Sequence, residues 1–205
     1  MKLYGMPHTR SIRITWALEE AGLDAQFQLI DLSKGEGNSP EFLQINPAGK
    51  IPVLEDEGFI LSESSAICNY IARKVPEKNL IPIDNIQQLA RHDQWSLFAL
   101  CELEQPLWTF WRHTFVYPEA LRVPEIISCT EREFQEACRV LSTGLGDQQY
   151  ILGDDFSMAD ILLVQSLLWA GVSHWKVPQA NLNEYITRAI ARPAFQRARE
   201  KEKNA

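Results

Sequence analysis

The 205-residue sequence predicts an α/β domain followed by an all-helical one. Three observations carry that prediction. Strand and helix signals alternate through the first part of the chain. Beyond Pro82 no convincing strand pattern recurs. Between the two, Val75 to Asp84 is bracketed by Pro76 and Pro82 and reads as a connecting segment. The expected limits are 1–76, a linker at 77–84, and 85–205.

Lys2–Tyr4 is the first strand. Ser11 to Ala21 follows as a helix, with Trp16, Ala17 and Leu18 apolar and Glu19 and Glu20 polar near its end; Gly22 sits where a C-cap glycine belongs. Phe27–Ile30 reads as a second strand, and Pro40–Ile45 as a short helix. Ile51–Leu54 and Phe59–Leu61 are strands separated by Glu55-Asp56-Glu57-Gly58, a hairpin signal. Ser62 to Arg73 is helical, with Ala66, Ile67, Tyr70 and Ile71 on one face. The order is β-α-β-(α)-β-β-α, which suits a parallel pair extended by an antiparallel hairpin. In the second domain, Ile86 to about His113 forms one long helical stretch. Glu119 to Leu145 forms another, broken near Pro124 and ended by Gly144 and Gly146. Ser157–Gly171, Leu182–Ala191 and Pro193–Lys203 complete the set.

Composition narrows the function. Lys plus Arg number 20 and Asp plus Glu 27, for a net charge of −7, and 45% of residues are hydrophobic. Disordered and fibrous classes are excluded. The acidic balance argues against nucleic acid as a partner, because such binding needs a basic face to displace counterions. No apolar run approaches the roughly 20 residues of a membrane span, and no apolar signal core opens the sequence. The four cysteines, Cys68, Cys101, Cys129 and Cys138, match no metal or redox spacing. A reducing, cytoplasmic setting without a metal is the expectation.

Three segments of the first domain are candidates for chemistry. Met6-Pro7-His8-Thr9-Arg10-Ser11 places hydroxyls and a cation at a helix N-terminus, where unpaired N–H groups and the helix dipole favour an anion. Simple capping by Thr9 or Ser11 explains the same residues. Asn46-Pro47-Ala48-Gly49-Lys50-Ile51-Pro52 is a turn running into a strand. A cis bond before Pro52 would turn the Ile51 backbone outward, where it could pair with an extended peptide-like ligand. In Ser62-Glu63-Ser64-Ser65, Ser62 is the expected N-cap. Ser64 and the first-turn N–H groups suit a carboxylate, and Glu63 suits an ammonium. Together they would receive an amino-acid head group; a capped surface helix is the plainer alternative. In the helical domain, Trp108, Phe110, Trp111, His113, Phe115 and Tyr117 are unusually aromatic. They suit an apolar ligand pocket as well as they suit a core or dimer interface.

These motifs in register resemble the cytosolic glutathione S-transferase superfamily: Pro-x-x-Arg-Ser-x-Arg-x-x-Trp-Ala-Leu-Glu-Glu, Asn-Pro-x-Gly-Lys-Ile-Pro-Val-Leu, Ser-Glu-Ser-Ser-Ala-Ile, and Ile151-Leu152-Gly153-Asp154-Asp155-Phe156-Ser157-Met158-Ala159-Asp160. The last resembles that family's capping box, with Ser157 capping and Asp160 reaching back. The resemblance implies a thioredoxin-like N-terminal domain, an all-α C-terminal domain, glutathione as co-substrate, and a homodimer. It implies that Ile51 bonds the cysteinyl backbone, that Pro52 is cis, that Glu63 and Ser64 hold the γ-glutamyl end, and that Lys34 or Lys50 faces the glycyl carboxylate. A small hydrophobic electrophile would lie against Trp108, Trp111, Phe115 and Tyr117. The implied activity is conjugation, as in detoxification. Another glutathione-dependent reaction (isomerase, dehalogenase, peroxidase or disulfide reductase) and non-catalytic binding are the alternatives. The usual Tyr, Ser or Cys near the end of strand one has no clean counterpart here. Thr9 is the favoured thiol-activating group, with Arg10, Ser11 and then His8 behind it.

Overall fold

A computed structural model of the protein describes residues 1–203. The chain divides into two compact units, Met1–Ile81 together with the chain from Ile190 onward, and Pro82–Ala189.

The first unit is built on a four-stranded sheet. Its elements are β1 (Lys2–Gly5), α1 (Ser11–Ala21), β2 (Gln26–Leu29), α2 (Pro40–Ile45), β3 (Val53–Asp56), β4 (Phe59–Ser62), α3 (Ser64–Lys74) and α9 (Pro193–Lys203). The strand order is β2-β1-β3-β4. β1 and β2 are parallel, while β3 runs antiparallel to both β1 and β4. Side chains alternate across a strand. Tyr4 and Val53 therefore face one side, packed with Ile30 and Phe42. Leu3 and Leu54 face the other, which α1 and α3 cover. The β3–β4 hairpin closes through Glu57 and Gly58, both at positive φ (52° and 84°), the geometry that matches strand twist. β3 starts at Val53 rather than Ile51, because Pro52 has no N–H to give the ladder.

α1 is buried nearly all round, from Ser11 to Leu18. Such a helix needs cover on more than one side, and α9 supplies part of it. The Trp16 ring meets Phe195 edge-on at 4.7 Å. Arg192 forks onto Glu20 (Nε–Oε1 2.6 Å, Nη2–Oε2 2.8 Å). Arg197 and Lys201 reach the two oxygens of Glu19 at 2.5 and 2.6 Å. Sequence periodicity groups α9 with the helical domain in 85–205; its contacts group it with the sheet.

The second unit holds α4 (Ile86–Phe98), α5 (Glu104–Trp111), α6 (Ile126–Leu145), α7 (Met158–Val172) and most of α8 (Ala180–Ile190). The expected helix 86–113 is interrupted by two π-helical turns, Ala99–Leu103 and Arg112–Val116. Gly144 does not end α6; it lies inside the helix, where an added Cβ would stand 2.2 Å from the Trp95 ring. Gly146 ends it. α7 is apolar on all faces and is capped as expected. Asp160 accepts the N–H and hydroxyl of Ser157, both at 2.8 Å, with Ile151 N–H at 2.9 Å and the Tyr185 hydroxyl at 2.6 Å. Burial pushes the Asp160 carboxyl up from its ordinary range, while these donors pull it down. Among the described residues, no helix is long and apolar enough to cross a membrane.

Candidate functional site

Strand register gathers the candidate groups of the first unit. Tyr4 pairs with Val53, and Val53 with Ser62. The end of β1, the start of β3 and the end of β4 therefore share one edge of the sheet. Met6–Arg10, Ile51 and Glu63–Ser64 continue from those three points. Gly5 pairs with Leu29, so β2 ends at the same side and leads into the turn that carries Lys34.

The Ile51–Pro52 peptide bond is cis. The Ile51 side chain packs into the cluster of Tyr4, Phe42 and Val53. Among the described residues, neither its N–H nor its C=O meets a protein hydrogen-bond partner. The turn before it is held by Asn46, whose Nδ2 donates to Lys50 O at 2.6 Å and whose Oδ1 accepts Ala48 N–H at 3.1 Å. Gly49 and Gly37 pass so closely that a Cβ on either would lie 2.6–2.8 Å from the other's carbonyl oxygen.

The α3 terminus differs from the expectation. Ser62 is the last residue of β4, and the N-cap position is Glu63, at φ 69°, ψ 114° and with no side-chain cap. That backbone lies outside the wells open to residues with a Cβ. Strain of this kind costs on the order of 1–3 kcal/mol and concentrates at ligand clamps. The Glu63 side chain is exposed, whereas Ser64 is buried. Ser64 Oγ accepts from Nη1 of Arg13 at 3.1 Å, and Arg13 is 0% exposed. A buried guanidinium thus stands behind the hydroxyl that the resemblance assigns to the γ-glutamyl carboxylate. Arg13 was legible only as the second arginine of Arg-Ser-x-Arg; its burial was not.

In the Met6–Arg10 loop, Thr9 Oγ1 donates to Met6 O at 2.6 Å and accepts Ser11 N–H at 3.2 Å. Ser11 Oγ accepts Met6 N–H at 3.1 Å and lies 3.0 Å from Thr9 Oγ1. Ser11 is wholly buried. Both hydroxyls are engaged within the loop, and neither Thr9 nor Ser11 is the expected N-cap, because the helix begins at Ser11 itself. The N-cap position itself is Arg10, which makes no side-chain cap. Among the described residues, Thr9 N–H has no protein acceptor. Tyr4 is not a competitor, since its hydroxyl donates to Glu55 at 2.6 Å and burial pushes its pKa up. His8, at φ 62°, is exposed, and its backbone N–H faces the carboxylate of Glu202 on α9.

Of the two lysines, Lys34 is paired with Asp31 at 3.0 Å. The Ser33 hydroxyl, followed by that lysine contact, holds the Asp31 carboxyl down to about 2. Lys50 is exposed, with no carboxylate partner among the described residues. The thiols Cys68 and Cys138 are pushed up to about 12 by burial, which leaves them unreactive. No group of metal-binding residues occurs among the described residues.

In the second unit the predicted aromatics form a cluster. Trp111 stands 4.9 Å from Phe115 and 6.1 Å from Trp169, and its Nε1 donates to Ser173 Oγ at 2.7 Å. Trp108 faces Trp169 at 6.5 Å, and Tyr117 meets His113 edge-on at 5.2 Å. All remain partly exposed, Phe115 most of all at 58%. Arg112 lies among them and was not singled out by the sequence; its place four residues after Trp108 was the available signal.

Comparison with known proteins bears on the fold and the family. Residues 1–73 match the family model "Glutathione S-transferase, N-terminal domain", and residues 124–193 match "Glutathione S-transferase, C-terminal domain". The chain is 34% identical over 170 residues to Glutathione S-transferase hmp2 of Hypomyces subiculosus, covering 78% of each chain. It is 29% identical over 204 residues to the probable glutathione S-transferase GSTF2 of Oryza sativa subsp. japonica, covering 96% of this chain and 94% of the relative. Among solved structures, a ternary complex of BphK, a bacterial GST, superposes with a TM-score of 0.89 at 30% identity, covering 98% of this chain and 99% of that one. Gtt2 of Saccharomyces cerevisiae gives 0.87 at 28% identity, covering 97% and 100%. The fold and these matches define a protein of the glutathione transferase type. The chain belongs to the glutathione S-transferase family.

Proposed function

We propose that the protein joins the sulfur of glutathione to hydrophobic electrophiles. One observation carries the reading. At a single sheet edge the fold presents an unpartnered Ile51 peptide, an exposed carboxylate at Glu63, a hydroxyl at Ser64 backed by Arg13, and the start of α1. These groups complement the parts of a γ-glutamyl tripeptide in order. Glu63 takes the ammonium. The Ser64 hydroxyl and α3 N–H groups take the α-carboxylate, with Arg13 sharpening the hydroxyl as a donor. Ile51 pairs with the cysteinyl backbone, beside Pro52. Lys50, rather than Lys34, faces the glycyl carboxylate.

A thiol has a pKa of about 8.5, and the thiolate is the nucleophile. Lowering that pKa by about two units requires roughly 2.7 kcal/mol of preferential thiolate stabilisation. Thr9 N–H, the positive end of α1 and Arg10 supply it jointly in this reading. The Thr9 hydroxyl contributes only by turning away from Met6, and Ser11 acts by holding the loop. Trp108, Trp111, Phe115 and Tyr117 form the apolar wall for the electrophile. The reading includes a cytoplasmic homodimer, supported by large apolar side chains left exposed on β4, Phe59 and Ile60.

The engaged hydroxyls of Thr9 and Ser11 favour one second reading, a protein that binds glutathione without activating it. Thiolate absorbance of bound glutathione at pH 6.5 separates the two. Conjugation requires a clear signal that falls in Arg10→Ala and changes less in Thr9→Ala. No thiolate in the unsubstituted protein, with glutathione bound, would favour the binder.

A further inference from the structure

We propose that Arg112 reads an acidic substituent on the acceptor, so that the protein prefers aromatic or conjugated electrophiles carrying a carboxylate. The inference rests on the conjugation reading above and names the substrate class for it. Arg112 opens the second π-helical turn. Its Nη1 donates to the Tyr117 hydroxyl at 3.3 Å and its Nη2 to Thr109 Oγ1 at 3.1 Å. The guanidinium carbon lies 5.7 Å from the Trp108 ring centre and 5.8 Å from that of Tyr117. Arg139, Arg192 and Arg197 each meet a carboxylate; Arg112 is held by neutral hydroxyls and rings. The Nε–H is shut off from solvent and, among the described residues, has no acceptor.

The chemistry follows from that count. A guanidinium has five N–H donors in a rigid fork. Two are used here, both on uncharged oxygens, and among the described residues no carboxylate pairs with the guanidinium. Low-dielectric surroundings strengthen its attraction for an anion. Tyr117 and Thr109 fix the fork's plane, which is the pre-organisation that a two-oxygen acid group exploits. Trp108 and Tyr117, the rings packed on that guanidinium, are the faces against which an aromatic acceptor stacks. An acidic, flat electrophile satisfies both halves of the cluster, and a neutral one satisfies only the rings.

The test uses the full chain with saturating glutathione and two matched acceptors, 4-chloro-3,5-dinitrobenzoate and its methyl ester. In each the thiolate adds at the chlorine-bearing carbon, a C–S bond forms, the C–Cl bond breaks and chloride leaves. The expected result is that Arg112→Gln lowers the acid-over-ester ratio of kcat/KM about tenfold, and that Arg112→Lys recovers part of it. An unchanged ratio, including one where both acceptors lose activity in equal proportion, overturns the proposal. If neither acceptor is conjugated by the unsubstituted protein, binding of unreactive 3,5-dinitrobenzoate is read by tryptophan quenching. Binding that Arg112→Gln abolishes keeps the anion site and refutes the conjugation reading. No binding, or binding indifferent to Arg112, overturns the anion site as well.

Discussion

Glu202→Gln replaces a buried carboxylate by a neutral side chain of nearly the same shape. Glu202 is 5% exposed and lines a cavity of about 40 Å³ with Leu3, Thr15, Leu18 and Phe27. Among the described residues, its Oε1 has no hydrogen-bond partner. Lys201, beside it, is occupied by Glu19 and Asp24. Burial raises the Glu202 pKa from 4.5 to about 7, against the lowering pull of His8 N–H and Arg199. Between those values the native state keeps a proton that the unfolded chain has released. Stability therefore falls as pH rises through the interval and levels off above it. At 1.36 kcal/mol per pH unit, the loss is about 3 kcal/mol. The glutamine variant has nothing to titrate. Urea unfolding of both proteins from pH 4 to pH 8 should show near-equal stabilities at the acid end, with the variant ahead by about 3 kcal/mol at pH 8. Parallel curves across the range would refute the reasoning, because every other titrating group is common to both proteins.

Two further outcomes follow from packing. Gly144→Ala should destabilise by about 1–3 kcal/mol, since its methyl meets the Trp95 ring, although alanine favours a helix by about 1 kcal/mol; thermal unfolding of that variant checks it, and an unchanged or higher Tm would show that the ring yields. Asp160→Ala removes the shared acceptor of Ile151 N–H, Ser157 N–H and the hydroxyls of Ser157 and Tyr185. It should cost about 3–5 kcal/mol, read as a lowered urea midpoint. A loss under about 1 kcal/mol would mean that water replaces the carboxylate.

The parts of the fold read from the sequence were those set by local chemistry. Gly22 ends α1 at φ 69°, and the Ser157–Asp160 cap stands as its spacing implies. The features not read depend on partners distant in sequence. Gly144 looks like a helix stop until Trp95 is placed against it. α9 carries an ordinary amphipathic pattern, and it is Phe195 on Trp16, with Arg197 and Lys201 on Glu19, that joins it to α1 and the sheet unit. The two π-helical turns insert single residues into a continuous helical pattern, and periodicity averages over such insertions. Ser62 is a good cap by type, but the β4 ladder carries through it, and the chain turns at Glu63 instead. At the site, the resemblance supplied Ile51, Glu63 and Ser64, while Arg13 and Arg112 draw their significance from burial and neighbours.

The central claim is that the edge formed by Ile51, Glu63, Ser64 and the α1 terminus binds glutathione. Calorimetric titration with glutathione, repeated with S-hexylglutathione, tests it most directly. The account predicts saturable binding of both, with the hexyl derivative tighter because its apolar chain leaves water. Absence of binding by either ligand would contradict it.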